Sequence, residues 1–414
     1  MKILIIGNHT CGNRGDGAIL RGLIQELESQ IPNVDLTLVS RFPTSSEFLL
    51  SRPFVKDWLY KYQKYSGGIV AKVKNKLHKP ALLERLISSA KNTKVHDRLP
   101  PEFKAYIEEI KQYDCVVQVG GSFFVDLYGT GQFHHSLCVL AANKPLYFMG
   151  HSVGPFEDQK FCEVAELVFS KTKVLGLRES VSKKLLEDKF SLPASYVEGA
   201  DTAWLVRPSK VAIENSAIKT FLSNGNTVAI TLRELKPFDK RLGIKQENYE
   251  KAFADLCNTL ITKGFQVLAC STCTGIDGYQ KDDRMVAYRV LKQIEDRSKF
   301  KVVMDEFNDI ELGTVLSECL ITIGTRLHSA IISMNFGTPA FALNYEHKSE
   351  GIMNQLGLSE FGIPLEQLIN GELADKVLDS LEKQEAVKGA VSKAVKNEKD
   401  RAASMISQLH SSNR

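Results

Sequence analysis

The chain predicts an α/β protein of two Rossmann-like lobes, each built on a parallel sheet, facing a central cleft. Three observations carry this expectation. Short apolar runs rich in Ile, Val and Leu alternate with stretches of helical periodicity from residue 2 onward. The alternation lapses between Pro208 and Asn226, then starts again. Polar loops follow the strands, and a parallel sheet delivers all its strand C-termini to one edge, where ligands bind. A length of 414 residues fits two or three domains, each large enough for its own core.

In the first lobe, residues 1–207, strands are expected at Lys2–Gly7, Asp35–Ser40, Cys115–Val119, Pro145–Gly150, Val174–Leu177 and Ala194–Val197. A helix over Ala18–Gln30 puts Ile19, Leu20, Leu23, Ile24 and Leu27 on one side. An insertion at about 52–104 interrupts this lobe. Pro208–Asn226 reads as a linker. The second lobe, residues 227–370, has expected strands at Thr227–Leu232, Gln266–Cys270, Lys301–Met304, Leu320–Ile323 and Ala340–Leu343. Residues 371–414 are rich in Ala, Lys, Glu and Leu, lack Pro, and read as a helical segment returning across the lobes.

Composition excludes several classes. With 43% apolar and 25% charged residues the chain is neither disordered nor fibrous. No run of about 18 apolar residues predicts a membrane span. The apolar N-terminus has no cleavage-site pattern after it, so a signal peptide is not expected. Eight scattered cysteines then read as reduced thiols of a cytoplasmic protein. Cys270 and Cys273 form a CxxC with no second pair, so no zinc site is expected; no bound cofactor is expected either.

The net charge of +4 is unevenly placed. Between Arg52 and Lys104 there are 13 basic and four acidic residues, a balance of +9 that leaves −5 elsewhere. Trp58, Leu59, Tyr60, Tyr62 and Tyr65 stand among Lys56, Lys61 and Lys64, and Lys72, Lys74, Lys76 and Lys79 follow. The segment reads either as a solvated helical insertion or as a patch for the inner face of an anionic membrane or a lipid-linked substrate. No nucleic-acid module surrounds it.

The strand-end loops hold the candidate chemistry. The first, Gly7 to Gly17, joins a strand to a helix and carries Asn13, Arg14 and Asp16. Its glycines permit close backbone approach, and a helix N-terminus favours an anion. Its spacing matches no nucleotide fingerprint. Asp16 reads either as an N-cap or as a group orienting a substrate hydroxyl. Gly120–Asp126 supplies Ser122 and Asp126; Asp126 reads equally as a helix cap. Gly150–Phe156 supplies His151, beside a Gly-Pro turn; this histidine reads either as a site residue or as a structural one. Arg178-Glu179-Ser180 and Glu198–Asp201 end further strands. Arg233 ends the opening strand of the second lobe, either as a surface residue or as an anion clamp. The sharpest cluster is Gly324-Thr325-Arg326-Leu327-His328-Ser329. It places Arg326 and His328 in the first turn of a buried helix, where two cationic groups call for a negative ligand. After the next strand, Glu346 and Lys348 read as either hydroxyl contacts or surface charge.

These motifs together resemble the polysaccharide pyruvyl transferase family. The resemblance rests on Gly7–Arg21, Gly120–Asp126, His151–Phe156, Glu198–Trp204, Gly324–Ser329 and Pro339–Glu350, and it covers nearly the whole chain except the C-terminal helix. It implies a two-lobed fold similar to GT-B glycosyltransferases. It also implies transfer of a pyruvyl unit from phosphoenolpyruvate to a sugar, forming a cyclic ketal. Carried over by motif, Arg233, Arg326 and Leu327 would hold the donor, with His328 as general acid and Asp16 as base or orienter. Asn13, Arg14, Ser122, Asp126 and His151 would face the acceptor, a galactose-containing or related saccharide, lipid-linked or soluble. A nucleotide-sugar glycosyltransferase of the same shape is the alternative enzyme; a carbohydrate-binding protein with a degenerate cleft is the non-enzymatic one.

Overall fold

The computed structural model describes residues 1–60, 69–92, 98–191, 195–223, 225–236, 238–277, 280–344 and 347–411, without the side chains of 69–79, 347–348 and 410–411. The first lobe is a seven-stranded parallel sheet. Its strands are β1 (Lys2–Asn8), β2 (Asp35–Ser40), β3 (Val55–Lys56), β4 (Cys115–Phe124), β5 (Leu146–Val153), β6 (Val174–Leu177) and β7 (Tyr196–Glu198). Their order is β3-β2-β1-β4-β5-β6-β7. The second lobe holds β8 (Thr227–Thr231), β9 (Gln266–Cys270), β10 (Phe300–Val302), β11 (Ile321–Gly324), β12 (Ala340–Asn344) and β13 (Gly362–Pro364). That sheet is also parallel, in the order β10-β9-β8-β11-β12-β13. Both are doubly wound sheets whose order reverses beside the first strand, which places a ligand crevice at the ends of β1 and β4 in one lobe and β8 and β11 in the other.

The central strands are buried on both faces and read as continuous apolar runs for that reason. Two edge strands, β3 and β13, two and three residues long, were not among the expected strands. Two loop expectations are corrected. β4 runs on through Gly120-Gly121 to Phe124, and β5 runs through Gly150 and His151 to Val153, each with a register shift near the glycines. The expected linker contains the helix Ser216–Leu222, started by Asn215, whose side chain accepts from the Ala217 and Ile218 N–H groups. The insertion carries a helix, Ile69–Lys91. Lys61, Tyr62, Lys64 and Tyr65, the side chains of Lys72, Lys74, Lys76 and Lys79, and the later-loop pair Glu346 and the Lys348 side chain lie outside the described residues. No described helix is long and apolar enough to cross a membrane.

The lobes share a core. One apolar cluster runs from Ile3 and Leu23 to Ile230 and Ile331. The helix Arg14–Gln30 sits at the junction and packs on the turn Thr202–Leu205. Gly22 makes this close approach possible: a Cβ there would run into the Thr202 carbonyl oxygen. Polar ties cross the same seam. Arg21 forks onto Asp309 through Nε at 2.8 and 2.9 Å, and Asn335 donates to the Val206 carbonyl at 2.8 Å. The last helix, Gln384–Ser411, returns to the first lobe, where Met405 fills the space over Gly176 and Gly199.

Gly22→Ala is expected to force the helix off its turn and cost at least about 1–3 kcal/mol, the usual range for overpacking. A thermal melt reads it; an unchanged midpoint would mean the seam has slack.

Candidate active site

The strand ends of both lobes open into one cavity of about 320 Å³. Its wall includes Asn13, Asp16, Ser122, Arg233, Arg326, Leu327 and His328, all anticipated from sequence. It also includes His9, Arg41, Arg178 and Phe238. Among the described lining residues Asp16 is the sole acid, against four arginines.

The second-lobe half is built on β11 and its helix, Leu327–Asn335. Arg326 is the N-cap residue rather than a member of the first turn, and no side chain caps this helix. The Ser329 N–H donates to the Arg326 carbonyl at 2.9 Å, but no side chain accepts from the helix start, a condition that favours an anion there. A chain of hydroxyls fixes the loop. Thr231 Oγ1 donates to Ser329 Oγ at 2.7 Å, and Tyr249 and Thr325 share a bond of 2.7 Å. The Tyr249 hydroxyl also accepts from the Arg233 N–H at 3.2 Å. The Arg233 guanidinium lies 5.0 Å from the Phe238 ring centre. Arg326 is oriented from behind by Asp283, through Nε at 2.8 Å and Nη2 at 2.9 Å. Its planar fork is therefore engaged within the protein, and Asp283 itself is 2% exposed.

The first-lobe half begins with Asn13, which caps the helix Arg14–Gln30 by accepting from the Gly15 N–H at 3.1 Å. Asp16 is thus not the N-cap; it sits in the first turn, at the cavity wall. That helix end is capped and carries an acid, so the second-lobe helix, not this one, suits an anion. Loss of water pushes the Asp16 carboxyl up to about 6, although His328 and Arg326 pull it down. Gly15 leaves room for His328: a Cβ there would lie 2.6 Å from the His328 Cβ.

His328 reaches across the seam to Asp201, Nε2 to Oδ2 at 3.2 Å. An ionised carboxylate only accepts, so Nε2 carries the proton. Arg178 grips the same Oδ2 at 2.5 Å and gives Nε to Ser152 at 2.8 Å. Burial would raise the Asp201 carboxyl, but Arg178 and then His328 hold it well below the usual carboxylate range.

Three expected acceptor residues are not in the cavity wall. Arg14 is 1% exposed and turned away, paired with Glu306 and bonded to the Gly12 carbonyl at 2.7 Å and Thr274 Oγ1 at 3.0 Å. Its backbone N–H reaches the Thr272 carbonyl at 2.8 Å, so it latches one lobe to the other. His151 lies inside β5, fully buried between Phe124 and Phe148, with Nε2 donating to the Gln118 carbonyl at 3.2 Å. Burial pushes it down to about 3, so it stays neutral and structural. Asp126 opens a short turn, Asp126–Tyr128, and its Oδ2 accepts from the Glu157 and Asp158 N–H groups. Arg178, Asp201 and Asp283 were missed as partners. The first two stood at strand ends in the polar rim, but nothing in their spacing pairs them with His328.

Cys270 and Cys273 are buried, and burial pushes the Cys270 thiol up to about 12. Among the described residues no cluster of His, Cys, Asp and Glu has the makings of a metal site.

Solved structures share this two-lobed fold at low sequence identity. UDP-GlcNAc 2-epimerase from Neisseria meningitidis superposes with a TM-score of 0.60 at 11% identity, covering 99% of this chain and 100% of its own. HepE of Anabaena, solved with UDP and glucose, gives 0.59 at 12% identity, covering 100% and 99%. These likenesses establish a GT-B-like fold. A curated relative, the amylovoran biosynthesis protein AmsJ of Erwinia amylovora, is 49% identical over 404 residues, 96% of each chain. The family model for polysaccharide pyruvyl transferase matches residues 13–347, which span the cavity's helix caps, His328 and the Asp201 that holds it. The chain therefore belongs to the polysaccharide pyruvyl transferase family.

Proposed function

We propose that this transferase moves a pyruvyl group from phosphoenolpyruvate to a sugar of an exopolysaccharide repeat unit, forming a pyruvate ketal and releasing phosphate. The observation that carries the reading is the uncapped start of the helix Leu327–Asn335, flanked by Arg326 and Arg233, in a cavity with one acid among its described lining residues. A small donor with a carboxylate and a phosphate suits that setting.

The chemistry follows from the placement. Arg326, Arg233 and the helix N–H groups bind the donor's anionic ends, and Leu327 packs beside it. His328 keeps its Nε2 proton on Asp201 and delivers the Nδ1 proton to the methylene carbon. The central carbon becomes electron-poor, and a sugar hydroxyl attacks it. Asp16 takes that hydroxyl's proton. The C–O bond to phosphate breaks, a second hydroxyl closes the ring and its proton leaves with phosphate or solvent. Ser122 and Asn13 lie on the acceptor side. The scheme requires no resident cofactor.

AmsJ is named for amylovoran biosynthesis, and we extend the proposed acceptor class to polymers of the colanic acid type. Repeat units of those two polymers, lipid-linked or free, are the first acceptors to try. The deciding assay incubates the protein with phosphoenolpyruvate and a galactoside acceptor. Phosphate release with a mass gain of one pyruvate less water on the saccharide supports the reading. Consumption of a nucleotide sugar without phosphoenolpyruvate would establish the glycosyltransferase alternative instead.

Two outcomes bear on the roles. Arg326→Lys keeps the charge but loses the fork that Asp283 holds. The KM for phosphoenolpyruvate should rise ~10-fold or more, since a charge-assisted hydrogen bond contributes about 1.5–3 kcal/mol; an unchanged KM removes Arg326 from the donor grip. The Asp16 carboxyl, raised to about 6, must be ionised to act as a base. kcat/KM should therefore fall as pH drops through about 6, and Asp16→Asn should abolish that limb along with most activity. A limb that persists in the Asn variant assigns it to another group.

A further inference from the structure

The reaction accounts for the arginines of the second lobe, and Asp201 accounts for Arg178. It does not account for Arg41. This residue follows β2 in the first lobe and lines the cavity. Its side chain is 18% exposed. Each of the other three cavity arginines has a hydrogen-bond acceptor: Asp201 and Ser152 for Arg178, Asp283 for Arg326, and the Glu234 carbonyl for Arg233. Among the described residues the Arg41 guanidinium has none. Asp57 is its ion-pair partner, at 3.7 Å, beyond hydrogen-bond distance.

Asp57 is itself committed elsewhere. Its Oδ1 accepts from His135 Nε2 at 2.8 Å and from the Leu59 N–H at 2.8 Å. His135 is buried and packs edge-on against Tyr106. Burial would raise the Asp57 carboxyl, but His135 and then Arg41 keep it lowered and ionised. The carboxylate thus anchors Arg41 from behind without satisfying its five N–H groups. On the other side His9 also lines the cavity, and burial with the Arg41 charge pushes it down to about 3. A neutral imidazole and an unsatisfied guanidinium stand together. Ser122, whose buried hydroxyl has no partner among the described residues, lines the same cavity.

We infer that Arg41, held by the Asp57–His135 pair, is an anion-binding subsite for the acceptor, so that the preferred acceptor saccharide carries a negative group beside the hydroxyls that are bridged. The inference rests on the pyruvyl-transfer reading. The donor grip belongs to the second lobe, at β8 and β11, whereas Arg41 rises from β2 of the first. Within that first sheet β2 stands four strand spacings, of ~4.8 Å each, from the β6 strand that ends at Arg178. On the transfer reading the donor sits at the second-lobe helix, which leaves Arg41 on the lobe that faces the acceptor. The negative group is a carboxylate or a phosphate; a uronic acid neighbour or the phosphate link to a carrier supplies the same chemistry.

The test compares three acceptors: a neutral β-galactoside, the same galactoside joined to a uronic acid, and one bearing a phosphate ester at its reducing end. With wild-type protein, kcat/KM for at least one acidic acceptor should exceed the neutral one ~10-fold or more, and added salt should shrink the ratio. The arm that wins identifies the source of the charge. Arg41→Gln should bring the ratio close to one, with the change in acceptor KM rather than donor KM. Arg41→Lys should keep part of it. The ratio is insensitive to partial misfolding, which lowers all three rates alike. Equal turnover of neutral and acidic acceptors by the wild type, or a preference that survives Arg41→Gln, overturns the subsite. Calorimetric binding of the same three saccharides needs no turnover. If no acceptor yields phosphate, the transfer reading fails, and calorimetry still decides whether Arg41 selects acidic saccharides.

Discussion

The contact on which the site depends is the carboxylate of Asp201, gripped by Arg178 from its own lobe and by His328 from the other. A buried carboxylate with one partner removed would cost about 3–5 kcal/mol. The anion therefore fixes two things at once. It holds a proton on Nε2 and so orients the ring of His328, and it ties the helix Leu327–Asn335 to the end of the first sheet. The seam around it is closed by Arg21 on Asp309, Arg14 on Glu306 and the shared apolar core. An imidazole delivered from one lobe is thus positioned by a charge belonging to the other, and in the proposed reaction lobe geometry and chemistry become the same constraint.

The cavity distributes positive charge with a consistent logic. Arg178 and Arg326 each have a buried acid holding the guanidinium in a fixed plane, so each is oriented before any ligand arrives. Such preorganisation lowers the ordering cost of binding. The two helix starts are treated differently. Asn13 caps the first-lobe helix and Asp16 adds a negative charge to its first turn, whereas the second-lobe helix is left without a side-chain cap. In the proposed reaction that asymmetry would separate the anion-binding side from the hydroxyl-handling side, although both loops looked alike as Gly-bearing strand ends.

Residue type and local order carried part of this site into the sequence. Arg326, Leu327 and His328 were legible because a short buried strand and a buried helix leave few places for two cationic side chains. Asp16, Ser122 and Arg233 were legible as polar groups at strand ends. His151 and Asp126 misled for one reason: β4 and β5 continue past their glycines, so a residue counted as loop is inside the sheet. Arg14 misled differently. It has the sequence of a loop cation, yet its partners, Glu306 and Thr274, lie some 260–290 positions away.

The sequence by itself determined the alternation of strand and helix, the two parallel sheets, the family motifs and the side of each sheet that opens into the cavity. Those properties depend on near-neighbour periodicity and on the parallel rule that strand ends gather at one edge. Tertiary structure alone decided which polar residues meet: Asp201 with His328, Asp283 with Arg326, Asp57 with His135 and Arg41. Each pairing joins residues 16 to 127 positions apart or more loosely related strands, and sequence spacing places no limit on such distances. It is packing of one lobe on the other, and of strand on strand, that brings opposite charges out of water together.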